Sequence, residues 1–89
     1  MGFVWDNNKA SSNLEKHGIS FGEATNLFND PKKVTMQSYN GSDEERYNTV
    51  GNAFNNLLSA IWTPRGEDKR IISARKANNK EKDRYDKGE

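Results

Sequence analysis

The hydrophobic period of this chain changes at Asp30-Pro31, and that change decides the fold class. Before it, apolar residues fall at helical spacings; after it they alternate, in four short segments separated by turn residues. In the first half, "GFVWD" carries a brief strand signal in Phe3, Val4 and Trp5. Asp6 then fits as the N-cap of a helix over "NNKASSNLEKH", with Ala10, Leu14, Asn13 and His17 on one face. Gly18 supplies the left-handed residue that ends such a helix, and Ile19 its hydrophobic contact. Ser20 and Glu23 have capping-box spacing, and Phe21, Ala24, Leu27 and Phe28 follow as an amphipathic helix of about two turns.

The second half reads as strands. "KKVTMQSY" alternates, "NGSD" is a turn, "EERYNTV" alternates again, and "NAFNN" and "PRGED" set off "LLSAIWT" and "KRIISAR". The tail from Asn78 is polar and predicts a short helix with Tyr85 as its only large anchor. A β-α-α-β-β-β-β-α order implies one α+β domain over 1–89. Its N-terminal strand and two short helices would pack on a four-stranded antiparallel segment, with a short helix at the C-terminus. Only 15 of the 89 residues are Leu, Ile, Val or Phe, but the net charge is just +1, so the chain folds with a thin margin. A tightly bound partner would add to that margin.

Charge is uneven. Residues 1–62 carry 5 Lys/Arg against 7 Asp/Glu, whereas 63–89 carry 9 against 6, a basic end suited to an acidic partner or nucleic acid. With no Cys and one His, disulfides, thiolate zinc sites and histidine-rich metal clusters are excluded. No run approaches the roughly 18 apolar residues of a membrane span, and the start lacks a signal-peptide core. The expectation is a cytoplasmic protein without membrane association.

The candidate chemistry is basic. Arg70 and Arg75 bracket "RIISAR", five strand steps or about 16 Å apart, and odd parity sends them to opposite faces. A hairpin closed by Thr63 and Lys69 would set Trp62 opposite Arg70 and Leu57 opposite Arg75. Leu58, Ala60, Trp62, Ile72 and Ala74 would then face the helices, with the Arg70 stem on Trp62. Leu57, Ser59, Ile61, Thr63, Ile71, Ser73 and Arg75 would form a second, partly open face. Arginine grips phosphate with a bidentate fork and keeps its charge in a dry site, although strand-end arginines also pair with carboxylates such as Glu67 or Asp68.

Other candidates have two readings each. His17 is suited to proton transfer near neutrality or to capping the last helical carbonyls. Lys9, in a first helical turn that disfavours cations, is read either as a solvent-facing lysine or as a cation offset by Asp6 or by a phosphate. Glu45 and Arg46 are placed to pair across strands. Tyr85 anchors the tail or stacks on a base and donates a proton. No Gly-rich phosphate loop, nucleophile elbow or paired-carboxylate motif is present, which leaves arginine- or lysine-assisted chemistry.

Six motifs in order cover nearly the whole chain: W-D-x-x-K (Trp5, Asp6, Lys9), K-H-G (16–18), F-x-x-A (21–24), D-P (30–31), T-x-R-G (63–66) and R-I-I-S-A-R (70–75). Together they resemble the BrnT family of bacterial type II toxins. The resemblance implies a RelE-like fold and a translation-inhibiting ribonuclease that cuts RNA without metal or other cofactor, the 2′-hydroxyl attacking the neighbouring phosphate. It implies a ribbon-helix-helix antitoxin resembling BrnA, with operator DNA bound only through the complex. On matching positions, Arg65 and Arg75 would hold the scissile phosphate and its developing charge. Lys9, His17 and Tyr85 would be the proton-transfer candidates, with Arg70, Lys69 and Lys76 contacting RNA. The alternative is a non-catalytic module acting as antitoxin partner and co-repressor. A direct DNA binder would need a recognition helix, which the sequence lacks.

Overall fold

A computed structural model of the chain describes residues 2–38 and 44–89. The expected "NGSD" turn lies outside the described residues. Three α-helices and a five-stranded sheet form an α+β domain: β1 (Phe3–Val4), α1 (Asn7–His17), α2 (Phe21–Ala24), β2 (Val34–Gln37), β3 (Tyr47–Ala53), β4 (Asn56–Arg65), β5 (Asp68–Lys76) and α3 (Asn79–Lys87). The sheet order is β1-β5-β4-β3-β2. β2 to β5 are the antiparallel segment expected from the alternation, and Phe3–Val4 adds a fifth strand, parallel to β5 at Lys69 and Arg70.

Both helix starts follow the sequence signals. The Asp6 carboxylate accepts from the Asn8 and Lys9 N–H groups at 2.8 and 3.2 Å, and Ser20 Oγ accepts from Glu23 N–H at 3.0 Å. Gly18 closes α1 at φ 70°, its N–H donating to the Leu14 carbonyl. α2 tightens into a 3₁₀ turn over Thr25–Asn29. Phe21, Ala24 and Leu27 from this segment, with Ile19 before it, cover Leu58, Ala60, Ile71 and Ala74 of the sheet. Complete burial of Phe21 and Leu27 stabilises the fold by roughly 1.5–3 kcal/mol each. Gly51 lets β3 pass under the 3₁₀ turn, since a Cβ there would meet the Leu27 carbonyl oxygen at 2.6 Å.

The inward face of α1 differs from the expected one. Asn13 is the buried residue, Ala10 is half-buried, and Leu14 and His17 are exposed. β1 pairs only with the start of β5, so the edge of β5 at Ala74 is open. Asn13 fills that gap like a piece of strand: Oδ1 accepts from Ala74 N–H at 3.0 Å, and Nδ2 donates to the Ala74 and Ile19 carbonyls at 2.7 and 2.9 Å.

A β-bulge changes the expected sorting of the β4–β5 hairpin. Arg65 pairs with Asp68 and Thr63 with Arg70 near the turn, but Ser59 pairs with Arg75 farther on, because the register shifts between Ile61 and Trp62. Ile71, opposite Trp62, therefore enters the core in place of Ile72. Ser59, Ile61 and Thr63 share one face of β4, so their side carries both Arg75 and Arg70. The two arginines lie on the same face, not on opposite ones. Arg70 does not lie on Trp62; Lys69 does, with Nζ 4.9 Å from the Trp62 ring centroid and 5.8 Å from that of Phe28.

"NAFNN" contains a two-residue hairpin turn: Ala53 pairs with Asn56, and Phe54 and Asn55 take φ of 51° and 67°. α3 opens on an Asn78–Glu81 capping box and lies over the second sheet face, beside Val34, Val50 and Ala77. That face is accordingly covered at one end. Among the described residues, no helix is long and apolar enough to cross a membrane.

Candidate nucleic-acid interface

Three neighbouring hollows that share lining residues lie along α1, the β1–α1 junction and β5, and cations line them. The first lies between α1 and β5 and is bordered by Asn8, Lys9, Ser12, Asn13, Lys16, His17, Ile72 and Ser73. Lys9 and Ile72 also border the second, with Arg70, Thr63, Arg46 and Glu44. Arg70 continues into the third, with Arg65, Val4, Trp5 and Asp6. The capped start of α1 sets Lys9 at the junction of the first two. The bulge sets Arg70 at the junction of the second and third. Without that extra residue, strand alternation would carry Arg70 toward the helices.

The cations here have few internal partners. Among the described residues, the side chains of Lys9, Lys16, Arg65 and Arg70 make no hydrogen bond or ion pair. Arg46 Nη2 reaches Glu44 at 3.4 Å rather than Glu45, which accepts from the Tyr47 hydroxyl. The Arg46 Nε–H is buried without a partner among the described residues. Asp6 is occupied in capping α1, and Asp68 accepts from the Gly2 N–H, not from Arg65. The resulting field favours an anion.

Arg75 has a different setting on the same face. Its Nη1 and Nη2 donate to the two Glu81 oxygens at 2.7 and 3.0 Å, and Nη1 also donates to the Lys76 carbonyl at 3.2 Å. Glu81 is 8 % exposed at the side chain and Arg75 38 %. Burial acts to raise the Glu81 pKa, but the Arg75 fork, the Asn78 N–H and the Ser59 hydroxyl together hold it below the ordinary carboxylate range. The network continues from Ser59 to Asn48 (2.6 Å) and from Asn48 to Arg84 (2.8 Å), fastening α3 to the sheet mainly through polar groups.

Tyr85 sits farther along α3, outside the three hollows. Its hydroxyl donates to Asp30 at 2.5 Å, and this bond, with burial and the Asp30 charge, pushes its pKa up to about 12. Asp30 in turn is held low: burial opposes this, but Tyr85 and the Asn52 and Lys32 N–H groups prevail. Lys69 is on the core side over Trp62, and Lys76 borders a separate depression near the β3–β4 turn. The hollows thus pair Lys9 with His17, Lys9 with Arg70, and Arg70 with Arg65. Lys69, Lys76 and Tyr85 lie elsewhere.

Asn48 and Glu81 were not singled out by sequence reasoning; Asn13 was placed only on a helix face, and Arg46 only as a cross-strand partner of Glu45. The N-x-x-E spacing of Asn78 and Glu81 carried a signal; a mid-helix Asn carried none.

A small α+β domain whose neighbouring hollows are lined by cations has the electrostatics to hold a polyanion, and comparison narrows the class. Residues 5–81 match the model of the ribonuclease toxins of type II toxin–antitoxin systems. The chain belongs to the BrnT family of those toxins. No curated protein matches it.

Proposed function

We propose that this chain is an endoribonuclease toxin that cleaves RNA with its own side chains and so inhibits translation in the cytoplasm. An antitoxin neutralises it. The fold is read as RelE-like and the antitoxin as a BrnA-like ribbon-helix-helix protein, through which the pair would reach operator DNA. The observation that carries the reading is the run of cations, Lys9, Arg70 and Arg65, unpaired among the described residues, along hollows that share lining residues.

In this reading the scissile phosphate sits between Lys9 and Arg70, with Arg65 beside it. The RNA 2′-oxygen attacks the adjacent phosphorus as its proton is withdrawn, giving a 2′,3′-cyclic phosphate and expelling the 5′-oxygen, which takes up a proton, so that one proton passes in net from the 2′- to the 5′-oxygen. The arginines stabilise the charge that builds on the phosphoryl oxygens, about 2.7–4 kcal/mol for a well-placed donor. Lys9 is the proton-transfer candidate that borders the same hollow as Arg70. Tyr85, its proton held toward Asp30, is less suited to that step. Arg75 adds to the field through N–H groups not engaged by Glu81.

The test is incubation of the purified protein with several RNAs in EDTA. Cleavage leaving cyclic phosphate and 5′-hydroxyl ends supports the reading. RNAs left intact at high protein concentration, with and without ribosomes, overturn it. The engagement of Arg75 by Glu81 favours one second reading, a non-catalytic partner of the antitoxin, and Arg70→Ala separates the two: growth inhibition on induction that survives it is not ribonuclease action at this groove.

A further inference from the structure

The hollow between α1 and β5 has a chemistry that phosphate binding does not use. Its volume is about 330 Å3, at the lower end for small-ligand sites. Asn8, Ser12, Ser73 and His17 border it, and their side chains have no hydrogen-bond partner among the described residues. Each amide or hydroxyl both donates and accepts. Among the described residues, His17 is the only ring there, Ile72 the only apolar side chain, and no carboxylate lines the hollow. One wall is fixed, because Asn13 is bonded to both Ala74 and Ile19. A flat heterocycle with a polar edge suits such a place: single-stranded bases are recognised by stacking on rings and by hydrogen bonds to their edges.

We infer that this hollow is a base-recognition subsite. It seats the nucleobase next to the phosphate held by Lys9 and Arg70, with His17 stacking on the base and Ser12 and Ser73 reading its edge. The inference rests on the ribonuclease reading and deepens it. Lys9 and Ile72 border both hollows, so a nucleotide here is joined directly to the phosphate seat. The division of labour is the usual one: phosphate contacts position the chain and base contacts specify it. His17 becomes a specificity residue at the far end of the groove.

His17 is the only histidine, so its imidazole proton signals report on this hollow without interference. The experiment titrates the folded protein with 2′-O-methyl trinucleotides, which lack the attacking hydroxyl, carrying each of the four bases or an abasic sugar at the centre. Expected is a saturable ring-current shift of the His17 signals with at least one base, and binding weakened about tenfold or more for the abasic version. Ser12→Ala, an exposed change, is expected to alter the ranking of the four bases. Abasic and base-bearing trinucleotides acting alike, or none moving the signals, overturn the inference.

Cleavage supplies a second arm. His17→Ala is expected to lower kcat/KM for the preferred sequence about tenfold with the pH profile in place, whereas Arg70→Ala lowers all sequences alike. Loss of one limb of the pH profile in His17→Ala would assign proton transfer instead and overturn the subsite. Base-selective binding without RNA cleavage refutes only the ribonuclease reading. Cleavage with unmoved His17 signals refutes only the subsite.

Discussion

Replacing Asn13 by Ala tests how the groove wall is held. Asn13 is 6 % exposed and makes three hydrogen bonds of 2.7–3.0 Å to the Ala74 N–H and to the Ala74 and Ile19 carbonyls. Truncation leaves those backbone groups without partners in a region that water reaches poorly. A buried unsatisfied group costs about 1–3 kcal/mol, and carbonyls with a second partner cost least. We therefore expect a loss of about 2–4 kcal/mol, or a fall in Tm of roughly 10–25 °C for a domain of this size. Urea and thermal unfolding followed by circular dichroism measure it. Asn13→Asp keeps the acceptor for Ala74 N–H but turns a carboxylate toward two carbonyl oxygens. Its folded pKa is raised, so this variant is expected to be nearest wild type at acid pH and to lose stability as pH rises. A loss below about 0.5 kcal/mol for Asn13→Ala refutes the role given to this side chain.

Other expectations concern α3 and the hairpins. The Glu81 pKa is depressed in the fold, so its contribution is present above the ordinary glutamate range and lost as pH falls through the folded value; Glu81→Gln should flatten the acid limb of stability against pH. Tyr85 is the opposite case. Its raised pKa gives a contribution that is full below pH 10 and lost as pH rises toward about 12, and Tyr85→Phe should remove that alkaline limb in denaturant titrations. Phe54 is 67 % exposed and takes a left-handed φ, as does Asn55. The double change Phe54→Asn, Asn55→Gly should therefore raise stability by about 1 kcal/mol in urea unfolding, and a decrease would show that the Phe54 ring is needed.

The period change at Pro31 made the two halves of the fold legible, and Asp6, Gly18 and Ser20 marked helix ends because capping is local chemistry. The bulge was not legible. Ile71 and Ile72 are adjacent and equally apolar, so alternation cannot say which of them enters the core, and the answer fixes the side on which Arg70 emerges. The role of Asn13 was hidden for another reason: it depends on an open strand edge brought close from 61 positions away. Lys9 was visible as a cation at the wrong end of a helix. Its neighbours Arg70 and His17 became a group only when the strands were set in register. For Arg75 the sequence offered a phosphate ligand, and Glu81 on the following helix now engages its fork.

Single-turnover RNA cleavage by Arg70→Ala beside Arg75→Ala is the most direct measurement of all. If the groove at the bulge is the reaction site, Arg70→Ala should slow cleavage about 100-fold or more with wild-type unfolding behaviour. Arg75→Ala should lose stability, since it leaves Glu81 buried without its main partner. A fully active Arg70→Ala protein would contradict the placement of the reaction between Lys9 and Arg70.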